Sequence, residues 1–430
     1  MRKTMLASPS LSSILTAVPV AERPTATKWT VMVFMGADTV AGNAPMLDAA
    51  VADLAEMATV GSGGPLNVFA QVHTRTDVRR GHIRQGMFRD ILEKGLKALD
   101  PVSPGQAIPA NGQALGWFLK WALAEAGHRP DDPSHCSMLV MWGHAYDFAI
   151  GEAPTRAGTV DALDFVELTG VLRHLQSELQ NSYKAHTPPK FDIVAFDACD
   201  VATVELACEL EPFARYLLGS QVGVPIPGWP YHRVLERLRL PLGRLMAPTE
   251  LGSWIVNRFC EAYTPAGAVS LSMLDLNRAP ELFARTQILA QVLVAALASD
   301  PSSRDLLSQM FVRSVTEEFK PYVDVADLCL NLAREHGDPR VVAAASALGD
   351  LLIAPPLGAN ASSSMGTGLP LVTTFGRNAG ETAKLNGISL YAPHVAFDHD
   401  FMLVRHLYER FEFVRATSWS PLVHALAQMG

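Results

Sequence analysis

The chain reads as an α/β protein: a mostly parallel sheet flanked by helices, followed by a mainly helical C-terminal part. Three observations predict this. Apolar runs of strand length alternate with helix-period segments over the first 240 residues, the pattern of βαβ crossovers. Those runs are continuously apolar, as strands covered on both faces are. Of the 430 residues, 49% are hydrophobic and 18% charged, against roughly 25% charged in an average soluble protein, so the chain has material for a large core and none of the signature of disorder.

The elements follow in order. TVMVFM (30–35) is the first strand and is closed by Gly36. A helix over 44–60 carries Met46, Leu47, Ala50, Leu54 and Met57 at helical spacing. LNVFAQV (66–72) is the second strand, and the charged stretch 77–90 reads as a solvated hairpin. Asn111 caps the next helix, and CSMLVMW (136–142) is the third strand. A helix over 166–179 precedes the fourth strand, FDIVAF (191–196). A helix over 201–210 and a short strand over 216–219 complete the alternation. Beyond about residue 240 helical patterns dominate, at 249–262, 280–297, 322–335 and 340–353, with a strand at 269–274. The Gly, Ser, Thr and Pro-rich stretch 354–384 reads as a long loop. A returning strand at 388–391 and two terminal helices close the chain. The division expected is a loose tail over 1–28, a core over 29–240 and a C-terminal helical subdomain over 241–430.

Composition excludes several functions. The formal charge of −8 gives no basic face for nucleic acid. No uninterrupted apolar run reaches the ~18 residues of a membrane span; 288–298 is broken by Gln291 and reads as a core helix. The five cysteines, at 136, 199, 208, 260 and 329, form no zinc-type pair or disulfide scaffold. They point to a reducing compartment, so the chain is expected to be cytoplasmic. The alternative is secretion: Arg2 and Lys3 resemble the start of a signal peptide, although serines and Pro9 interrupt its apolar stretch. No P-loop, GxGxxG or GxSxG motif is present. His394, Asp398, His399 and Asp400 have no metal-ligand spacing and are explained by helix capping.

Ligands of an open parallel sheet bind beyond the carboxyl ends of its strands. The third strand ends at His144 and the fourth at Cys199, which also precedes a helix whose N-terminus would favour a thiolate. An imidazole beside a thiol is the pair for nucleophilic catalysis: it takes the thiol proton and returns it to the leaving amine.

His144 lies 55 residues before Cys199 in FDACDVATVE, close to the ~50-residue spacing of caspases. With YLLGSQ, GWPY, KWTVMVFMGAD, DLAEMATVGS, VMWGH and GISLYAPH, the chain resembles the clostripain-like cysteine peptidases, of the clan of caspases, gingipains and legumains. The resemblance is close over roughly 28–235 and looser beyond, and it implies a caspase-like core. It implies His144 as base and acid, Cys199 as nucleophile, and the backbone N–H groups of Ala145 and Cys199 as oxyanion donors. Ala145 stands where relatives have Gly. Asp197 is implied as the acid that binds a basic side chain, Arg before Lys, with Trp229 and Tyr231 as apolar walls. The second acid that several relatives carry before Gly-Trp is replaced by Pro225, Ile226 and Pro227.

The resemblance also implies a latent precursor cut between the His and the Cys. Arg156 is the first candidate for that cut, followed by Lys184, Lys190 and Arg377. Protein or peptide substrates, an activating protease and a monomeric chain are expected. No cofactor is required by any residue pattern, and calcium, which some relatives need, is left open. Two other readings fit the residues: an inactive scaffold that binds a protein partner, and a cysteine amidase acting on small molecules.

Overall fold

The computed structural model describes residues 28–427 except 39–43, 75–76, 103–110, 130–131, 133, 147, 151–162, 240–245, 265–267, 318–320, 353–370, 378–384 and 393–404. Residues 1–27 of the expected tail, Arg156 and the His394 to Asp400 group lie outside the described residues, while Lys28 already belongs to the first strand.

The apolar runs build the centre of a nine-stranded sheet. Its strands are β1 (Lys28–Asp38), β2 (Leu66–Thr74), β3 (Val78–His82), β4 (Asp100–Pro101) and β5 (His135–Trp142). Three two-residue strands, β6 (Ala145–Tyr146), β7 (Ala149–Ile150) and β8 (Leu163–Asp164), form a separate small sheet. The large sheet continues with β9 (Phe191–Asp197), β10 (Ala214–Gly219) and β11 (Ser270–Asp275). A short β12 (Tyr322–Asp324) is followed by β13 (Val372–Arg377) and β14 (Ser389–Tyr391). The large sheet runs β13-β11-β10-β9-β5-β1-β2-β3-β4. Its five central strands are mutually parallel, and antiparallel strands close both edges. β12 and β14 pair with each other.

Alternation of side chains splits each central strand between two cores. Ile193 and Ala195 of β9 face one way, and Val194 and Phe196 the other. The first core is covered by α1 (Ala44–Val60), the second by α3 (Gly112–Glu125) and α4 (Phe165–Tyr183), with α2 (Phe88–Lys94) lying between α1 and α3 in sequence. Next come α5 (Val204–Leu210) on the second face and α6 (Tyr231–Arg239) and α7 (Pro248–Ala262) on the first. The second face is completed by α8 (Ala279–Ser299), α9 (Arg304–Arg313), α10 (Val325–Glu335), α11 (Pro339–Leu352), α12 (Glu412–Ala416) and α13 (Trp419–Ala427). Each fully buried Leu, Phe or Val contributes about 1.5–3 kcal/mol. Capping fixes several starts: Asn111, Asp164 and Thr203 accept hydrogen bonds from Ala114, Glu167 and Leu206.

Among the described residues, only the stretch 276–299 is long and apolar enough to cross a membrane. Leu282, Leu289 and Leu293 of its α8 are buried in the core.

The structure corrects the elements in several places. The stretch 77–90 holds β3 and the start of α2. The stretch 354–384 contains β13, an edge strand of the main sheet. Residues on both sides of position 240 therefore share one sheet, since β11 and β13 join β10.

Candidate active site

The centre of the site follows from strand register. β5 and β9 are adjacent and parallel, and their last registered pair is Trp142 with Asp197. His144 and Cys199 each stand two residues beyond that pair. Neighbouring strands are ~4.8 Å apart, so the two residues leave the sheet side by side at the same height.

Gly143 makes the turn into His144. Its φ is +142° and a Cβ there would lie 3.0 Å from the carbonyl oxygen of Gly36 on β1, so the position takes only glycine comfortably. The Gly143 N–H donates to Asp197 O at 3.3 Å. His144 is half-buried, and burial holds its pKa below the ordinary 6.5. The imidazole is therefore neutral at neutral pH, as a base must be. Ala145 opens β6 and pairs with Ile150.

Cys199 is partly exposed. Val224 N donates to its Sγ at 3.2 Å, and Val224 O lies 3.9 Å from Sγ. Asp200 turns the chain through a left-handed φ of +54°. Asp200 N then donates to Val222 O at 3.3 Å, and Val201 N and Ala202 N both donate to Ser220 O at 2.9 Å. These bonds correct one expectation. The amides of 201 and 202 are used by the neighbouring loop, Thr203 is the cap, and α5 starts five residues after Cys199 rather than two.

Asp197 lies beneath this rim, 4% exposed. Its Oδ2 accepts from Trp229 N at 3.0 Å and Tyr231 OH at 3.1 Å. Oδ1 is buried and accepts nothing from the described residues. Burial pushes the carboxyl up to about 7, against the two hydrogen bonds, which lower it. Gly228, with φ +63°, wraps this carboxylate so closely that a Cβ would sit 2.7 Å from Oδ2. Trp229 and Tyr231 are fully buried. Tyr231 meets the site through its hydroxyl and Trp229 through its backbone. Ile226, in the stretch before Gly228, is half exposed.

A second carboxylate that the sequence reading passed over lies in the same layer. Asp53 of α1 is 3% exposed and accepts from Trp142 Nε1 at 2.7 Å. Burial, then the charge of Asp197, raises its pKa well above the usual value. The signal was present: Asp53 falls three residues after Ala50 and four before Met57, on the apolar stripe of α1.

Of the expected processing residues, Lys184 is exposed and caps α4 in a left-handed conformation, φ +52°. Lys190 is bound to Glu211, with Nζ 3.0 Å from Oε1. Arg377 lies in β13, paired with Ser270, and its guanidinium bonds Leu385 O. Among the described residues no group of three or more His, Cys, Asp or Glu is placed to hold a metal.

A thiol and an imidazole that follow adjacent ends of a mostly parallel sheet are placed as a cysteine-dependent hydrolase would need them. The sequence model of the clostripain family (Peptidase_C11) matches residues 128–336, which hold both His144 and Cys199. The matched segment, just under half of the chain, is similar to that family. The fold is shared with a secreted C11 cysteine protease from Bacteroides thetaiotaomicron bound to an irreversible peptide inhibitor. That match has 15% identity, covers 91% of this chain and 99% of the other, and has a TM-score of 0.57. It is shared also with an inactive zymogen C11 protease from Parabacteroides distasonis, at 16% identity, 92% and 99% coverage and a TM-score of 0.55. No curated protein matches in sequence.

The expected cytoplasmic location is corrected by these neighbours, since the Bacteroides protease is described as secreted. The physical reason is that the cysteine argument carried no compartment information. Cys136, Cys260 and Cys329 are buried and outside any disulfide in a core large enough to need no crosslinks.

The pKa directions give a pH profile. His144 becomes protonated only below 6.5, so the acid limb of kcat/KM is expected below that pH. A guanidinium brought to Asp197 would favour its ionised form, so any binding of a basic group at that carboxylate is expected to strengthen as pH rises through about 7. Initial rates on Arg and neutral peptides between about pH 5 and 9 check both.

Proposed function

We propose that the chain is a secreted cysteine endopeptidase that cleaves after Arg, and less readily after Lys. Cys199 attacks the scissile carbonyl. His144 takes the thiol proton and returns it to the leaving amine. The N–H groups of Cys199 and Ala145 hold the oxyanion. The observation that carries this reading is the shared register of His144 and Cys199 beyond the pair Trp142 and Asp197.

Asp197 supplies the basic preference. A buried carboxylate with an unused oxygen matches a guanidinium, which offers paired donors, better than an ammonium. The chain is made as a single latent polypeptide and is opened between His144 and Cys199, with Arg156 as the natural site and Lys184 as the alternative. It acts on protein or peptide substrates as a monomer, after self-cleavage or cleavage by another protease. Calcium dependence belongs to the same assay, run with and without a chelator.

Fluorogenic peptides ending in Arg, Lys or Gln test the specificity. Arg is expected to be cut fastest and Gln slowest. Asp197→Asn is expected to lower kcat/KM for Arg by roughly 10- to 100-fold and to change the Gln rate little. Equal cleavage of Arg and Gln peptides by the wild-type protein would overturn the assignment of Asp197.

A further inference from the structure

We propose that the backbone N–H of Val224 stabilises the thiolate of Cys199, and that Gln221, anchored on Asp324, is the positioning residue that holds Val224 in place. This rests on Cys199 being the nucleophile of the reading above. The N–H lies on the Sγ at 3.2 Å, while the carbonyl that would accept the thiol proton is at 3.9 Å. A donor at that distance favours S⁻ over SH.

The other groups near Sγ make a donor valuable. His144 stands at the adjacent strand end. Asp197 and Asp200 flank Cys199 on its own loop. Glu317 lies beside the loop that carries Val224, where its Oε1 would be 3.9 Å from a Cβ on Gly223. Three of these four are acids, which oppose a thiolate. The helix that follows gives little help, because α5 begins five residues away.

Val224 sits on a proline-interrupted loop that has no strand ladder of its own. Its base is fixed instead. Ser220 Oγ donates to Val222 O at 2.8 Å and accepts from Val222 N at 3.1 Å. Gln221 N donates to Ser270 Oγ at 3.2 Å. The Gln221 side chain accepts from Gly387 N at 2.5 Å and donates to Asp324 Oδ2 at 3.0 Å and Ser389 Oγ at 3.1 Å. Asp324 also accepts from Asn386 N at 2.6 Å, Asn386 Nδ2 at 3.0 Å and Asp327 N at 2.9 Å. Gln221 is 1% exposed and Asp324 0%. Polar groups this deep are stable only when saturated, and a saturated network is rigid. The segments that saturate it, 324–327 and 386–389, belong to the C-terminal part. That part thereby reaches the nucleophile without touching substrate.

The test is the pH profile of Cys199 alkylation by iodoacetamide in the full chain, with the modified residue identified by mass spectrometry. Val224→Pro deletes the N–H, and Val224→Ala keeps it. The alkylation midpoint is expected to rise by roughly one to two pH units in Val224→Pro and to stay at the wild-type value in Val224→Ala. Gln221→Ala is expected to raise it by a smaller amount and to lower kcat with KM nearly unchanged. Should Val224→Pro fail to fold, Gln221→Ala and Asn386→Ala read the same midpoint from the other end of the network. A Val224→Pro midpoint equal to wild type overturns the donor, and an unmoved midpoint in Gln221→Ala overturns the positioning role. Either result leaves the peptidase assignment standing. Conversely, peptide cleavage retained by Cys199→Ala removes that assignment and leaves the alkylation shifts to be read as they are.

Discussion

Cys199→Ala is expected to remove peptide cleavage, with a fall in kcat of roughly 10⁴-fold or more. The thiol is the one partly exposed sulfur at the end of a central strand, and no neighbouring group described here can take its place as nucleophile. His144→Ala is expected to cost a similar factor, because a thiol without its base is a weak nucleophile at neutral pH and the leaving amine loses its proton donor. The double variant should be little worse than either single one, since the two residues act as a unit. Turnover of an Arg fluorogenic peptide is the measurement. A Cys199→Ala protein as active as wild type would end the proposed mechanism, and a double variant whose losses multiply would mean that the two act independently.

The second large effect is expected at Gly143→Ala. The residue makes no contact with substrate in the proposed mechanism, yet it has two reasons to be glycine. Its φ of +142° is one that other residues seldom adopt, and the new Cβ would press on Gly36 O at 3.0 Å. Strain of this kind costs about 1–3 kcal/mol. It can be relieved by moving β1 or by moving His144, and the loop is the softer of the two. A displacement near 1 Å at a reacting group costs roughly 10²-fold. Gly143→Ala is therefore expected to lose about that factor in kcat and to melt a few degrees lower. Wild-type kcat at an unchanged melting temperature would show that the loop absorbs the methyl group elsewhere.

The central strands were legible in the sequence because burial on both faces favours apolar runs, and β1, β2, β5, β9 and β10 each carry one despite a few polar residues such as Gln71, Ser137 and Asp192. The edges were not. VRRGH of β3 and VTTFGR of β13 face solvent on one side and carry arginines, so their composition looks like that of loops. Pairing with a strand already in place is what makes them strands. The start of α5 was misread for a related reason. Val201 and Ala202 have helical apolarity, but their amides serve Ser220, a partner 18 or 19 residues away that no local pattern announces. That His144 and Cys199 follow the ends of adjacent strands was readable because strand ends follow from strand positions. Asp53 was hidden in plain view as a charged residue on an apolar stripe. The Gln221 and Asp324 pairing spans 103 residues and links two side chains that are unremarkable one at a time.

The adjacency of β5 and β9 has a consequence for a severed chain. The stretch 151–162 lies between them in sequence, while in space the two strands share a ladder from Met138 with Ile193 to Trp142 with Asp197. A break in that stretch cuts one covalent thread and leaves the seam sewn. The upstream piece would contribute β1 to β5 and His144. The downstream piece would contribute β9, β10, β11, β13 and Cys199. Neither piece owns a complete core, so the nicked protein would persist as two interlocked halves that trade apolar surface across their join. The imidazole and the thiol would then belong to different polypeptides that still meet at one rim.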